Sequence, residues 1–393
     1  MILKKLYKSI IFFLFVVFIT HIIFNLEKII FVNEIFAFIG ILFFLVTFKK
    51  YLKSKIRKSF FYLILLISYF SIYVVFSFFF LRDGNFYQFF RTLTLWYSIF
   101  SFFLGLEFFK IIDSNFWKKN QLRYTWIHGI IGLFVGKKLS NPMIYTMALG
   151  KYKYYFWLSY LFLVLHMLMK WGGDGNSTSL MVVLGYGGYF ILYYSRIIRS
   201  LFLNKYIIII VFIFGLFTLN YVFEIFKPFY KIGFIYFGKD SDTNLLWRLM
   251  YWSYEVNHNI KENLIFGIGY GKGLFDMSDP YVSFVTAAEP DDLNLPYTHG
   301  THNSFIYILI RSGAVGLLLF LNFLVNLFKD YFNSSAHKNP NIRGYGIAFL
   351  IINFAAMFNV VIESSLYAGI YWISAGILFG GIENQYKINQ RLN

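Results

Sequence analysis

The residues best suited to chemistry fall within 242–320 of a 393-residue chain. In Asp242-Thr243-Asn244-Leu245-Leu246-Trp247-Arg248-Leu249-Met250-Tyr251-Trp252, Asp242 or Thr243 can cap a helix start. Spacings of three and four then place Arg248, Trp252, Glu255 and Asn259 on one helical face. The guanidinium of Arg248 offers a rigid fork of donors that suits phosphate oxygens. The same segment also reads as an interfacial helix, with Trp247 and Trp252 in a headgroup belt and Arg248 on a lipid phosphate. Further on comes His299-Gly300-Thr301-His302-Asn303-Ser304-Phe305. A neutral imidazole at 302 can accept a proton from a hydroxyl near neutral pH. Its alternative is a cap or interfacial histidine with no chemical role. His299 and His302 lack a third ligand at a suggestive spacing, so neither a metal site nor a cofactor is expected.

Between these two stretches lies Phe266-Gly267-Ile268-Gly269-Tyr270-Gly271-Lys272-Gly273. Alternating glycines allow tight turns and close backbone approach. The run lacks the register of a nucleotide cradle. A structural turn that folds the segment back is expected instead.

Composition dictates what must position these residues. Hydrophobic residues make up 58% of the chain and charged residues 14%, against about 25% charged in soluble domains. The apolar residues run in long stretches such as Ile10 to Phe24, Phe60 to Phe80 and Tyr206 to Phe223. A helix of about 20 apolar residues crosses the hydrocarbon core, and in lipid the backbone must bond to itself. The expected fold class is therefore all-α: a polytopic transmembrane helix bundle of about 10–12 spans, with one large non-cytoplasmic loop containing short helices. With no cysteine, disulfides, thiol catalysis and zinc-thiolate sites are excluded. No cleavable signal peptide is expected: Lys4, Lys5 and Lys8 precede an apolar run without a small-residue cleavage site.

The net charge of +17 is read as a topology signal rather than a nucleic-acid footprint. Spans near 9–25, 29–48, 60–80, 89–109, 154–170, 177–195, 206–223, 302–329, 345–361 and 367–382 place both termini and most of the lysine-rich loops in the cytoplasm. The stretch 124–150 is read as two short or broken helices. The chain divides into an N-terminal bundle at 1–223, an outer loop at 224–301 and C-terminal helices at 302–393. A structureless loop as long as 224–301 is uncommon, and loops on a rigid scaffold are where sites tend to lie.

These features together resemble the O-antigen polymerase and O-antigen ligase superfamily of bacterial membrane glycosyltransferases. The resemblance rests on Arg248 and Trp252, then Phe266-Gly267-Ile268-Gly269, then His302-Asn303-Ser304-Phe305-Ile306, then Ser312-Gly313-Ala314-Val315-Gly316-Leu317-Leu318. Asn141-Pro142 adds a weaker match. Trp247 and Arg311 depart from the pattern, where a glycine and an acidic residue are common. Asn176-Ser177-Thr178-Ser179 lacks the arginine that ligases especially carry there, which favours a polymerase.

The resemblance implies an inner-membrane location with 224–301 periplasmic, and a glycan donor on undecaprenyl diphosphate. Membrane lipids surround the protein, a chain-length regulator is a candidate partner, and nucleic acid is not one. It implies His302 as general base and Arg248 at the departing diphosphate, with Arg311 or Arg82 assisting. Arg91, Trp252 and Asn303 complete the expected substrate contacts. Ligation of polymer to lipid A core is the alternative activity. A lipid-linked oligosaccharide transporter is the rival from another class, although the paired repeats usual in transporters are not evident.

Overall fold

The computed structural model describes residues 7, 9–17, 32–53, 57–112, 185, 187–226, 244–276, 279, 295–298, 300–358, 361–364 and 367–392. The described residues form helices and no strands. Their order is α1 (Val32–Lys53), α2 (Lys58–Phe80), α3 (Phe86–Thr92), α4 (Thr94–Tyr97), α5 (Ser101–Ile112), α6 (Arg196–Phe202), α7 (Lys205–Phe226), α8 (Asn244–Glu255), α9 (Leu295–Thr298), α10 (Ser304–Asn333), α11 (Pro340–Phe358) and α12 (Ala368–Leu392). Among them, four helices are long and apolar enough to cross a membrane: Lys58–Phe80, Thr94–Ile111, Lys205–Ile225 and Ser304–Asn333. The expected all-helical membrane bundle is thus the architecture observed. The stretch 124–150, the Asn141-Pro142 match, Asn176 to Ser179 and His299 lie outside the described residues.

The core is built around α2 and α10, which run antiparallel. At one end Ser59 Oγ donates to Asp330 Oδ2 at 2.6 Å. Two turns or more along α2, Tyr69 donates its hydroxyl to the Ser312 carbonyl at 2.7 Å, and Tyr73 donates to the Gly267 carbonyl at 2.9 Å. The first end also holds an ion pair between Arg57 Nε and Glu383 Oε1 at 2.6 Å, with the guanidinium 3.2 Å from the Tyr386 ring centroid. Residues at the start of α2, the end of α10 and the end of α12 therefore share one end of the bundle. The glycine run and α8 lie at the other. Beside this pair, α5 and α12 touch backbone to backbone. A Cβ on Gly105 would run into the Ile373 carbonyl, and one on Gly376 into the Phe102 carbonyl. Small residues are what allow such close approach between membrane helices.

The expected span at 89–109 starts later, at Thr94, and the residues before it form a separate short helix. The stretch becomes α3, α4, a 3₁₀ turn at Ser98–Phe100 and α5. Hydroxyl side chains that bond off-axis explain the interruption. Thr92 Oγ1 donates to the Phe89 carbonyl at 2.8 Å and accepts from the Gly271 N–H, also at 2.8 Å. The helix yields locally because the glycine run docks on it. Asn85 starts α3 with a reciprocal capping box to Gln88, at 3.0 and 2.8 Å.

α10 is interrupted too, at Gly313, whose φ of 65° and ψ of −174° are not helical. A break inside a buried helix orphans backbone groups, which must find partners. The chain from Leu264 to Gly269 supplies them. Ile268 N–H donates to the Ile310 carbonyl at 2.7 Å, and Gly269 N–H to the Arg311 carbonyl at 3.1 Å. In return Ala314 N–H donates to the Leu264 carbonyl at 2.7 Å, and Val315 N–H to the Ile265 carbonyl at 3.3 Å. A Cβ on Gly267 would meet the Ile310 carbonyl, and one on Gly313 would meet the Ile265 carbonyl. The two glycine-bearing motifs, about 45 residues apart in sequence, are one joint.

Replacing Gly313 with alanine places a side chain in a left-handed backbone conformation and against a carbonyl. Strain of this kind costs about 1–3 kcal/mol, before the steric clash. The Gly313→Ala protein is expected to unfold in detergent at a lower temperature than the parent. An unchanged midpoint would show that the joint tolerates a Cβ.

Candidate functional site

Arg248 and Trp252 project from α8, one turn apart, at the end of the bundle opposite Arg57. Arg248 is 9% exposed, and its guanidinium donates to the Phe358 carbonyl at the end of α11. Trp252 is buried, and its indole N–H donates to the Thr301 carbonyl at 2.6 Å. Its ring centroid lies 6.5 Å from that of Phe358. The alternative of Trp252 in a headgroup belt therefore does not hold: its polar edge is spent inside the protein.

Thr301 immediately precedes His302. His302 is half-buried and has a φ of 53°, in the left-handed region that non-glycine residues adopt rarely. Such outliers cluster where surrounding structure fixes them for a purpose. Asn303 then caps α10: its side-chain oxygen accepts from the Phe305 and Ile306 N–H groups, both at 3.1 Å. Of the expected site residues, it is thus Asn303 and not His302 that terminates the helix. Thr301 Oγ1 bonds the Asn303 carbonyl at 2.8 Å and tightens the same turn. His302 is held between two residues whose own bonds leave little freedom.

The turn between α11 and α12 closes this group. Ser304 Oγ donates to Glu363 Oε2 and accepts from the Val361 and Ile362 N–H groups at 3.2 and 3.0 Å. Thus Arg248, through Phe358, and His302, through Ser304, are fastened to the same connection. Burial pushes the Glu363 carboxyl from its ordinary 4.5 up to about 7, against the Ser304 hydrogen bond. Sequence reasoning missed Glu363. Its signal is an acid standing alone between two apolar helices, in Val360-Val361-Ile362-Glu363-Ser364.

The other expected arginines are placed differently. Arg311 is fully buried in α10, and its guanidinium donates through one nitrogen to the Gly269 and Lys272 carbonyls at 3.1 and 2.5 Å. Arg82 and Arg91 are exposed on the α2–α3 turn and on α3, over the rings of Phe78 and Tyr87 at 4.3 and 5.8 Å. That turn belongs to the same end of the bundle as the glycine run. Asp83 and Gly84 donate their N–H groups to the Gly271 carbonyl, and Asp83 Oδ1 accepts from Gly273 N–H and the Tyr297 hydroxyl, each at 3.1 Å. The structure therefore gathers Arg248, Trp252, His302 and Asn303 into one group. Arg311 sits beneath the glycine run and Arg82 and Arg91 stand on the surface beside it.

Because Glu363 holds its proton to about pH 7 in the folded protein, the unfolded chain releases that proton first as pH rises. Stability is then expected to fall as pH increases from about 4.5 to 7 and to level off above. Burial raises the Glu255 carboxyl to about 7 as well, so Glu363→Gln should make this decline shallower without abolishing it, followed by the unfolding midpoint in detergent at pH 5 and pH 7.5. An identical slope in the variant would remove Glu363 as a source.

Neither the curated proteins nor the solved structures contain a match to the chain. A family model does match: its description is O-antigen ligase, and it covers residues 162–321. That interval contains Arg248, the glycine run, His302 and the Gly313 break, and leaves out Arg82, Arg91 and Glu363. The apolar helices described around it fit a helical membrane protein, and the match gives the kind of protein that this stretch is similar to. Over residues 162–321, this chain is similar to the O-antigen polymerase and ligase superfamily.

Proposed function

We propose that the protein is a surface-polysaccharide polymerase of the inner membrane, acting at the periplasmic face. It moves a glycan from undecaprenyl diphosphate to a sugar hydroxyl. The observation that carries this reading is the fastening of Arg248 and His302 to one connection. Phe358 holds the first, and Thr301 and Ser304 flank the second.

The chemistry follows from the charges that must develop. The acceptor oxygen bonds to the anomeric carbon while the bond from that carbon to the diphosphate oxygen breaks. The electron pair leaves with the diphosphate, and the hydroxyl proton passes to the imidazole of His302. Attack opposite the leaving group inverts the anomeric centre. A diphosphate has low proton affinity, so it needs fixed positive charge more than an acid. Arg248 supplies that charge from a buried, preoriented guanidinium, which loses little on reorganisation. The exposed Arg82 and Arg91 are suited to the outer phosphate and glycan. Asn303 and Trp252 hold the histidine turn rather than reach out from it. Arg311, turned to backbone carbonyls, acts from beneath.

Polymerisation is favoured over ligation by residues 176–179, Asn-Ser-Thr-Ser, which lack the arginine expected of a ligase. Deletion of the gene is expected to leave single repeat units on lipid A core. Long polymer accumulating on the carrier lipid would instead assign ligation.

General-base assistance contributes about 10²–10⁴-fold, and one preorganised charge donor about 10²–10³-fold. His302→Ala and Arg248→Ala should each lower glycan transfer by these factors, with normal amounts of protein in the membrane. Polymer at parental levels from either variant would remove that residue from the mechanism.

A further inference from the structure

One carboxyl beside the candidate site has no step of its own in the reaction. Glu363 stands in the connection between α11 and α12, outside the interval 162–321 that the family model covers. Its Oε1 is buried, and its Oε2 accepts from Ser304 Oγ. Ser304 is the first residue of α10, follows His302 by two positions and is 0% exposed.

The bonds of Ser304 show what Glu363 does. A hydroxyl has one proton to donate and two lone pairs with which to accept. The Val361 and Ile362 N–H groups fill both lone pairs, at 3.2 and 3.0 Å. The proton is what remains, and it must end on an acceptor, because a buried donor left without one is costly. Glu363 Oε2 is that acceptor. An ionised carboxylate, the carbonyl oxygen of a protonated carboxyl and an amide oxygen can each fill the role. The arrangement therefore needs an oxygen at 363 and not a charge.

The same connection reaches the other residue assigned to the reaction. Phe358, at the end of α11 and three residues before Val361, takes the Arg248 guanidinium on its carbonyl. We infer that Glu363 is a positioning residue: by accepting from Ser304 it locks the α11–α12 connection onto the start of α10, and so sets Arg248 relative to His302. The consequence for transfer rests on the reading proposed above, whereas the lock rests on the hydrogen bonds alone. A carboxyl that moved a proton or held a charge would fail when replaced by glutamine. One that only accepts from Ser304 would not.

The test uses the full chain with Glu363→Ala, Ser304→Ala, the double of these two, and Glu363→Gln. Displacing a reacting group by about an ångström can cost about 10²-fold, so each single alanine variant is expected to lower kcat for glycan transfer about ten- to a hundredfold, with KM for the lipid-linked donor within about twofold. Glu363→Gln keeps the acceptor and should recover most of that loss, with the parental dependence of kcat on pH. The double should lose no more than the worse single, because both substitutions remove one contact. Hydrogen exchange gives a readout without turnover. The Val361 and Ile362 amides should exchange about tenfold faster in either alanine variant, and at the parental rate in Glu363→Gln. A Glu363→Gln protein as slow as Glu363→Ala would overturn the inference, as would losses that add in the double. If the alanine variants do not accumulate in the membrane, Glu363→Gln decides alone: parental exchange with kcat near the parent upholds the lock, and a loss of either overturns it. A parent protein that transfers no glycan would defeat the transferase reading, and the exchange rates would still judge the lock.

Discussion

The structure depends on a break in a buried helix that another part of the chain repairs. Gly313 takes α10 out of helical geometry, and the orphaned Ile310 and Arg311 carbonyls accept from Ile268 and Gly269. In a membrane core no water can take those bonds, so the repair must come from protein. Once the glycine run is bound there, its remaining contacts are determined. Its far end reaches the α2–α3 turn through Gly271 and Gly273, and its start continues from the π-helical end of α8. Glycine is needed where the two backbones meet because a side chain on either would strike a carbonyl.

This joint turns separate helices into a platform. α8 has no membrane-spanning length of its own, yet its buried face contacts the end of α11 through Arg248 and the entry to α10 through Trp252, and Asn259 in the π-helical turn that follows bonds Leu274, next after the glycine run. Transfer chemistry between two large substrates needs groups held to a fraction of an ångström. The strained backbone at His302, braced by the Asn303 cap and the Thr301 hydroxyl, is consistent with such a demand.

Much of this was legible in the sequence, and for identifiable reasons. Long apolar runs gave the helices because lipid permits little else. Arg248, Trp252, Glu255 and Asn259 could be put on one face by spacing alone, and the glycine alternation indicated close backbone approach. What could not be read depends on partners distant in the chain. The interruption near Thr92 follows from a bond to Gly271, 179 residues away. Arg311 was expected at the diphosphate, yet it is buried on backbone carbonyls, because helical position does not reveal what packs over a face. Asn303 has the residue type of a cap, and its side chain is used as one. Glu363 belongs to no motif, and its importance arises only when Ser304 is folded onto it.

The central claim is that Arg248 and His302 serve one bound donor. Labelling with a photoreactive glycan on polyprenyl diphosphate, followed by mass spectrometry of the modified peptides, addresses it most directly. Adducts on both 244–260 and 300–312, competed by unlabelled donor, are the expected result. Competed adducts confined to one of these segments, or falling on neither, would contradict it.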